Sequence, residues 1–244
     1  MKRLTDQEIL RLWERGRTLH PLDRALSMIS ESYPDSDYGG LAMLPIGERD
    51  DILLRVREST FGGSLPVYCN CEECGESLEF NIRVQDIRGH EPKNETETLT
   101  RGDERHEIEF RLPNSLDLAA LLDYRDKRRA YRELFRRCIL RASANDEEVS
   151  PDELPEELLQ AASQDMYEAD TRAEILLKLE CPNCEHKFQT IFDIVHFLWS
   201  EFSTHARRVL RDVHDMARYY GWTETDILRL NPERRKIYLE MIGT

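Results

Sequence analysis

Apolar residues recur at helical spacing through the first sixty positions and at every second position soon afterwards, so the chain changes its period near Phe61-Gly62-Gly63. Before that point three short helices are predicted. Thr5 and Glu8 form a capping box for the first, whose apolar face is Ile9, Leu10, Leu12 and Trp13. Pro21 suits the first turn of the second, through Leu22, Ala25, Leu26 and Ile29. Pro45 opens the third, through Ile52, Leu53 and Val56, after a turn-rich link SYPDSDYGG. From residue 65 the text reads LPVYCNCEECGESLEFNIRV, and Leu78, Phe80, Ile82 and Val84 at period two argue a strand that follows a cysteine-rich turn. The phrase recurs as ILLKLECPNCEHKFQTIFDI at 175–194, where aligning Cys71 with Cys181 and Cys74 with Cys184 also aligns Leu78 with Phe188. Two such hairpins in one chain suggest two halves of one site.

The long insertion between them reads as a polar loop near 88–104, a strand HEIEFRLP, and helices over about 115–141 and 155–169. After Asp193 a long amphipathic helix runs through Phe197, Leu198, Phe202, Val209, Leu210, Val213 and Ala217 to a stop at Gly221. Thr223 caps a short helix and Asn231-Pro232 a last one ending near Ile242. The predicted fold is therefore α+β, mostly helical with a small antiparallel sheet formed by the two cysteine hairpins. It falls into a helical region 1–63, a hairpin region with its helical insertion 64–193, and a helical region 194–244. Residues 222–244 hold enough apolar surface, with Trp222 and Tyr238, to be read as a docking element.

The amino terminus carries charges through its apolar positions, unlike a signal peptide, and no window approaches the roughly 20 apolar residues of a membrane span. A cytoplasmic protein with reduced cysteines is expected, and there paired cysteines point to metal more often than to disulfides. Cys71-Glu72-Glu73-Cys74 and Cys181-Pro182-Asn183-Cys184 match the ligand set of a zinc ribbon split by an insertion. Gly75 is free to take a positive φ after the first pair; Glu185 stands in that position after the second. The competing readings are unrelated reduced cysteines and a redox pair, but a thioredoxin-like pair sits at a helix start in a βαβ unit, whereas these sit in β turns. One structural Zn²⁺ on Cys71, Cys74, Cys181 and Cys184 is the favoured reading. Cys69 could replace Cys71 as a ligand, and Cys138 reads as a small buried apolar residue.

A net charge of −14 opposes general affinity for nucleic acid, since phosphate binding is driven by Lys and Arg. The charge is unevenly spread. Arg125–Arg141 holds eight bases against Asp126 and Glu133, and 145–170 holds ten acids with no base, which is either a pair of solvated faces or a polarised docking surface. His196, His205 and His214 recur every nine residues, about half a turn apart each time on a helix, so they do not share a face. No Ser-His-Asp pattern, glycine-rich phosphate loop or His-Glu-x-x-His motif is present, and a non-enzymatic protein with no small-molecule substrate is expected.

Several stretches together resemble a known family. LTDQEILRLWERGRTLHPLDRAL, LPIGERDDILLRVRESTFGG, the paired cysteine turns with EFRLPNSLDLAALL between them, and FLWSEFSTHARRVLRDVHDMARYYGWTETDILRLNPERRKIYLEMI are similar to the baseplate hub assembly chaperones of T-even phages and their relatives in contractile injection systems. The resemblance implies a role in building the baseplate of a contractile tail-like particle, with hub or wedge proteins as partners and no catalytic residues. The alternative is a zinc-ribbon nucleic-acid-binding module, supported by the basic helix at 125–141.

Overall fold

A computed structural model describes residues 1–88, 98–103 and 105–243. Most of the loop expected at 88–104 lies outside the described residues. The amino-terminal region holds four helices: α1 (Asp6–Gly16), α2 (Pro21–Ser32), α3 (Tyr38–Met43) and α4 (Ile46–Phe61). The Thr5/Glu8 capping box forms on α1, and Pro21 opens α2. The extra helix is α3, inside the link read as a turn, where the Asp37 carboxylate accepts the Gly40 amide at 2.7 Å. Gly62 ends α4 at φ 94°.

The first hairpin is β1 (Ser64–Asn70) and β2 (Ser77–Arg83), followed at once by a single-turn helix α5 (Val84–Ile87). The insertion contributes β3 (Leu99–Gly102), β4 (His106–Phe110), α6 (Ser115–Ala120), α7 (Lys127–Cys138), β5 (Ile139–Ala144), β6 (Glu147–Glu148) and α8 (Glu156–Ala169). The second hairpin, β7 (Leu176–Glu180) and β8 (Lys187–Ile191), runs into the 27-residue α9 (Ile194–Tyr220), and α10 (Glu224–Arg229) and α11 (Pro232–Ile242) close the chain.

Two expectations change. The cysteine hairpins do not join in one sheet: β1-β2 and β7-β8 are separate two-stranded ladders, and a four-stranded antiparallel sheet β3-β4-β5-β6 lies in the insertion. The hairpins meet through their cysteine turns and through Leu78, Phe80, Leu179 and Phe188, not through a hydrogen-bonded edge. The helix expected over 115–141 breaks into α6 and α7 and stops at Cys138, because Ile139–Ala144 pairs with β4, Ile139 opposite Phe110 and Ala142 opposite Ile108. Sheet pairing that buries Ile108, Phe110 and Ala142 outweighs local helix propensity there.

Besides the small cluster at the cysteine turns, three apolar cores form among the described residues. The first joins Ile9, Ile29, Leu53 and Val56 of the amino-terminal helices to Leu65 of β1, Val84 of α5, Phe192 between β8 and α9, and Ile194, Leu198 and Phe202 of α9. The second belongs to the insertion, with Ile108, Phe110, Phe135, Ala142, Leu158 and Ala162. The third packs Leu10 of α1, Val209, Val213 and Met216 of α9, and Ile227 of α10, with Trp222 and Tyr238 against them. At about 1.5–3 kcal/mol for each fully buried large aliphatic or aromatic side chain, these cores hold the helices without help from propensity. The last helices are thus core: Ile227 is fully buried, Trp222 stacks on Tyr220 at 4.8 Å, and Arg235 of α11 pairs with Asp6 of α1. Only a few apolar side chains such as Ile237 and Met241 remain exposed for docking there.

Candidate metal centre

Each hairpin delivers its cysteines by the same backbone route. The Cys71 N–H donates to the Glu76 carbonyl at 2.8 Å and the Gly75 N–H to the Cys71 carbonyl at 2.9 Å. In the second turn the Cys181 N–H donates to the His186 carbonyl at 2.9 Å and the Glu185 N–H to the Cys181 carbonyl at 2.8 Å. The strand registers match under the same alignment, Asn70 opposite Ser77 and Glu180 opposite Lys187. Even the helix starts match, at Val84 and Ile194. The likeness read from a few residues is therefore a duplication of hairpin, turn and helix entry. Gly75 lies at φ 73° and Glu185 at φ 59°, so the second turn accepts a left-handed conformation that a side chain disfavours.

The two turns bring four sulfurs together. Cys71 Sγ lies 3.7 Å from Cys184 Sγ, Cys74 Sγ lies 3.7 Å from Cys181 Sγ, and all four lie within 4.8 Å of one another. These distances are far beyond a disulfide bond of about 2.05 Å. Cys71 and Cys181 are buried on Leu78 and Phe188, while Cys74 and Cys184 face outward, so the cluster sits at the rim of an apolar floor. Among the described residues no other group of three or more His, Cys, Asp or Glu side chains converges in this way, and these four could hold a metal ion.

The electrostatics of the two outward cysteines differ. The Glu76 backbone amide, joined by donors from Cys184, Asn183 and Cys181, draws the Cys74 thiol down to about 7. Cys184 receives the matching His186 amide, but its hydrogen bonds to the neighbouring sulfurs hold its proton and push it up to about 12. A bound metal would relieve the opposition between the lowered Cys74 and the raised Cys184. The Asn183 amide 3.8 Å from Cys74 Sγ is a further contact that the spacing alone did not reveal.

The remaining candidates fall elsewhere. Cys69 sits on β1 opposite Leu78, outside the sulfur cluster, with its thiol raised by burial and by Cys71. Cys138 is fully buried, and burial pushes its thiol up to about 12, so it is an inert core residue. Of the three histidines on α9, His205 bonds Asp6 at 2.6 Å, in a network where His205 and Arg235 hold the Asp6 carboxyl well below the usual carboxylate range despite partial burial. That network fastens α1, α9 and α11.

Four sulfurs around one ion would close a tetrahedron and leave no open position on it for a substrate or a reactive water, the arrangement of the structural class of metal site. The family model gives the protein's class a name. Residues 6–199, most of the chain and all four cysteines, match the T4 bacteriophage base plate protein family, and the chain belongs to that family. No curated protein and no solved structure matches it. The match ends early in α9, at Trp199, so the carboxy-terminal stretch of the resemblance lies beyond it from Ser200 onward. No described helix is long and apolar enough to cross a membrane.

Proposed function

We propose that the protein is a non-enzymatic baseplate component or hub assembly chaperone of a contractile phage-tail-like particle, stapled by one Zn²⁺ on Cys71, Cys74, Cys181 and Cys184. The observation that carries the role is the family match over residues 6–199. The zinc reading rests on chemistry and size. Zn–S bonds of about 2.3 Å place the sulfurs of a tetrahedron about 3.8 Å apart, close to the 3.7 Å of two pairs here. Four cysteine ligands favour a soft or borderline ion over Mg²⁺ or Ca²⁺. As partners we propose other baseplate proteins, hub or wedge, met in the cytoplasm during assembly. The regions 1–63, 64–193 and 194–244 are proposed as units of the chain, to be tested by limited proteolysis.

Co-expression with the hub and wedge proteins encoded beside it tests the role. A stable complex on gel filtration, and detection of the chain in purified particles or its absence from them, separates component from chaperone. Failure to bind any of them overturns the reading. The nucleic-acid alternative keeps one supporting observation, the exposed cations of α7. A titration with labelled duplex and single strand at about 0.15 M salt decides it.

A further inference from the structure

The insertion presents two oppositely charged surfaces side by side on one small core. At the start of α7, Arg125, Lys127 and Arg128 are exposed and, among the described residues, form no ion pair. The same stretch exposes apolar side chains among its charges: five of the fifteen exposed large hydrophobic side chains of the described residues, Leu116, Leu122, Tyr124, Tyr131 and Leu140, fall in it. Next to it, on β6 and the approach to α8, Glu147, Glu148 and Glu153 are exposed and equally unpaired among the described residues. Within the chain the two faces are joined by a loose contact, Arg132 to Glu156 at 3.5 Å with both side chains exposed.

Local helix physics does not account for the cations. The first turn of α7 holds Lys127 and Arg128 and no acid, and only the N-cap Asp126, which accepts the Arg128 and Arg129 amides, supplies negative charge at the end where the macrodipole favours it. By contrast α8 follows the rule, with Glu156 and Glu157 in its first turn. A phosphate backbone would meet the acids beside the bases, and a uniformly acidic protein would too. The surface that matches both signs is one bearing both signs in the opposite order, which a two-fold axis generates from this face itself. Arg, Tyr and Leu between the charges are residue types that suit a protein contact.

We propose that two copies of this chain pair across this face, the basic start of α7 in one protomer against the β6–α8 acids of the other and the reverse. The idea is independent of the zinc site. Sedimentation equilibrium at about 50 mM salt and about 100 µM protein is expected to give twice the 28.8 kDa chain mass, falling toward the monomer at about 0.5 M salt. R125E/K127E/R128E, which places acids where the α7 macrodipole favours them, should keep its metal and helicity yet be monomeric. E147K/E148K/E153K should be monomeric as well, and an equimolar mixture of the two variants should restore the dimer mass. A wild-type monomer at low salt, a dimer that survives either charge reversal, or a mixture that stays monomeric overturns the proposal. So does duplex or single-strand binding that the basic-face variant abolishes, which would make the face a nucleic-acid surface.

Discussion

Where the two cysteine turns meet, residues 107 positions apart are joined by four soft sulfurs in two near-identical backbone loops. Where the insertion meets α4, the joint is made of carboxylates and backbone. The Asp170 carboxylate accepts the Gly47 N–H at 2.8 Å at the start of α4, Arg49 bonds Asp50 at 2.8 Å and Ser115 at 3.2 Å, and the Ile46 N–H reaches the Pro113 carbonyl at 3.1 Å. In the proposed metal centre the first joint would draw its strength from a guest ion. The second uses the chain's own groups and suffers their desolvation: burial raises Asp170, and burial, partly offset by Arg49, pushes Asp50 up to about 6.

The largest separation of the two joints comes from removing a ligand. Cys181→Ser is expected to lose the metal and about 4 kcal/mol or more, a fall in Tm on the order of 10 °C. Calorimetry with metal analysis reads both, and unchanged melting would refute the sulfur joint. Next in size, Gly47→Ala would drive a methyl into the Asp170 carboxylate and set it 2.8 Å from the Ala173 nitrogen. A cost of about 2–3 kcal/mol at full metal content is expected from denaturant melts; loss of metal in this variant would mean that the joints are one unit.

The acid joint also has a pH signature. A carboxyl raised in the folded state holds its proton longer there than in the unfolded chain. The contribution of Asp50 to stability therefore falls as pH rises from the ordinary value of about 4 to the folded value of about 6 and is level above it. Asp50→Asn should flatten that fall, so the difference in unfolding free energy between variant and wild type should grow by about 2–3 kcal/mol across the window. A flat difference curve would show that Asp50 is not strained. The smallest effect compares the two turns themselves: Glu185→Gly should add and Gly75→Ala should remove about 1 kcal/mol. No atom lies within 4 Å of a Cβ at Gly75, so only backbone preference is tested.

The sulfur joint was legible because its signal is local and repeated: fixed Cys-x-x-Cys spacing, aligned Leu78 and Phe188, and alternating strands after each turn. Helix ends with chemical punctuation were equally readable, as at Thr5, Asp193, Gly221, Thr223 and Asn231. What escaped depends on pairing across distance. Nothing near Ile139 announces a strand until β4 lies beside it, and Asn145-Asp146, both at positive φ, was a hairpin turn passed over inside an acidic run. Asp170 on Gly47, Arg57 on Glu201 and Asp6 among His205 and Arg235 leave no spacing to recognise, because each partner is an ordinary surface-type residue until the fold buries it.

The central claim, one zinc closed by Cys71, Cys74, Cys181 and Cys184, meets its most direct test in zinc K-edge X-ray absorption on the purified chain with metal quantified in the same sample. Close to one zinc per chain and a first shell of four sulfurs at about 2.3 Å is the expected result. A shell containing nitrogen or oxygen, or a chain that carries no zinc with its cysteines reduced, would contradict it.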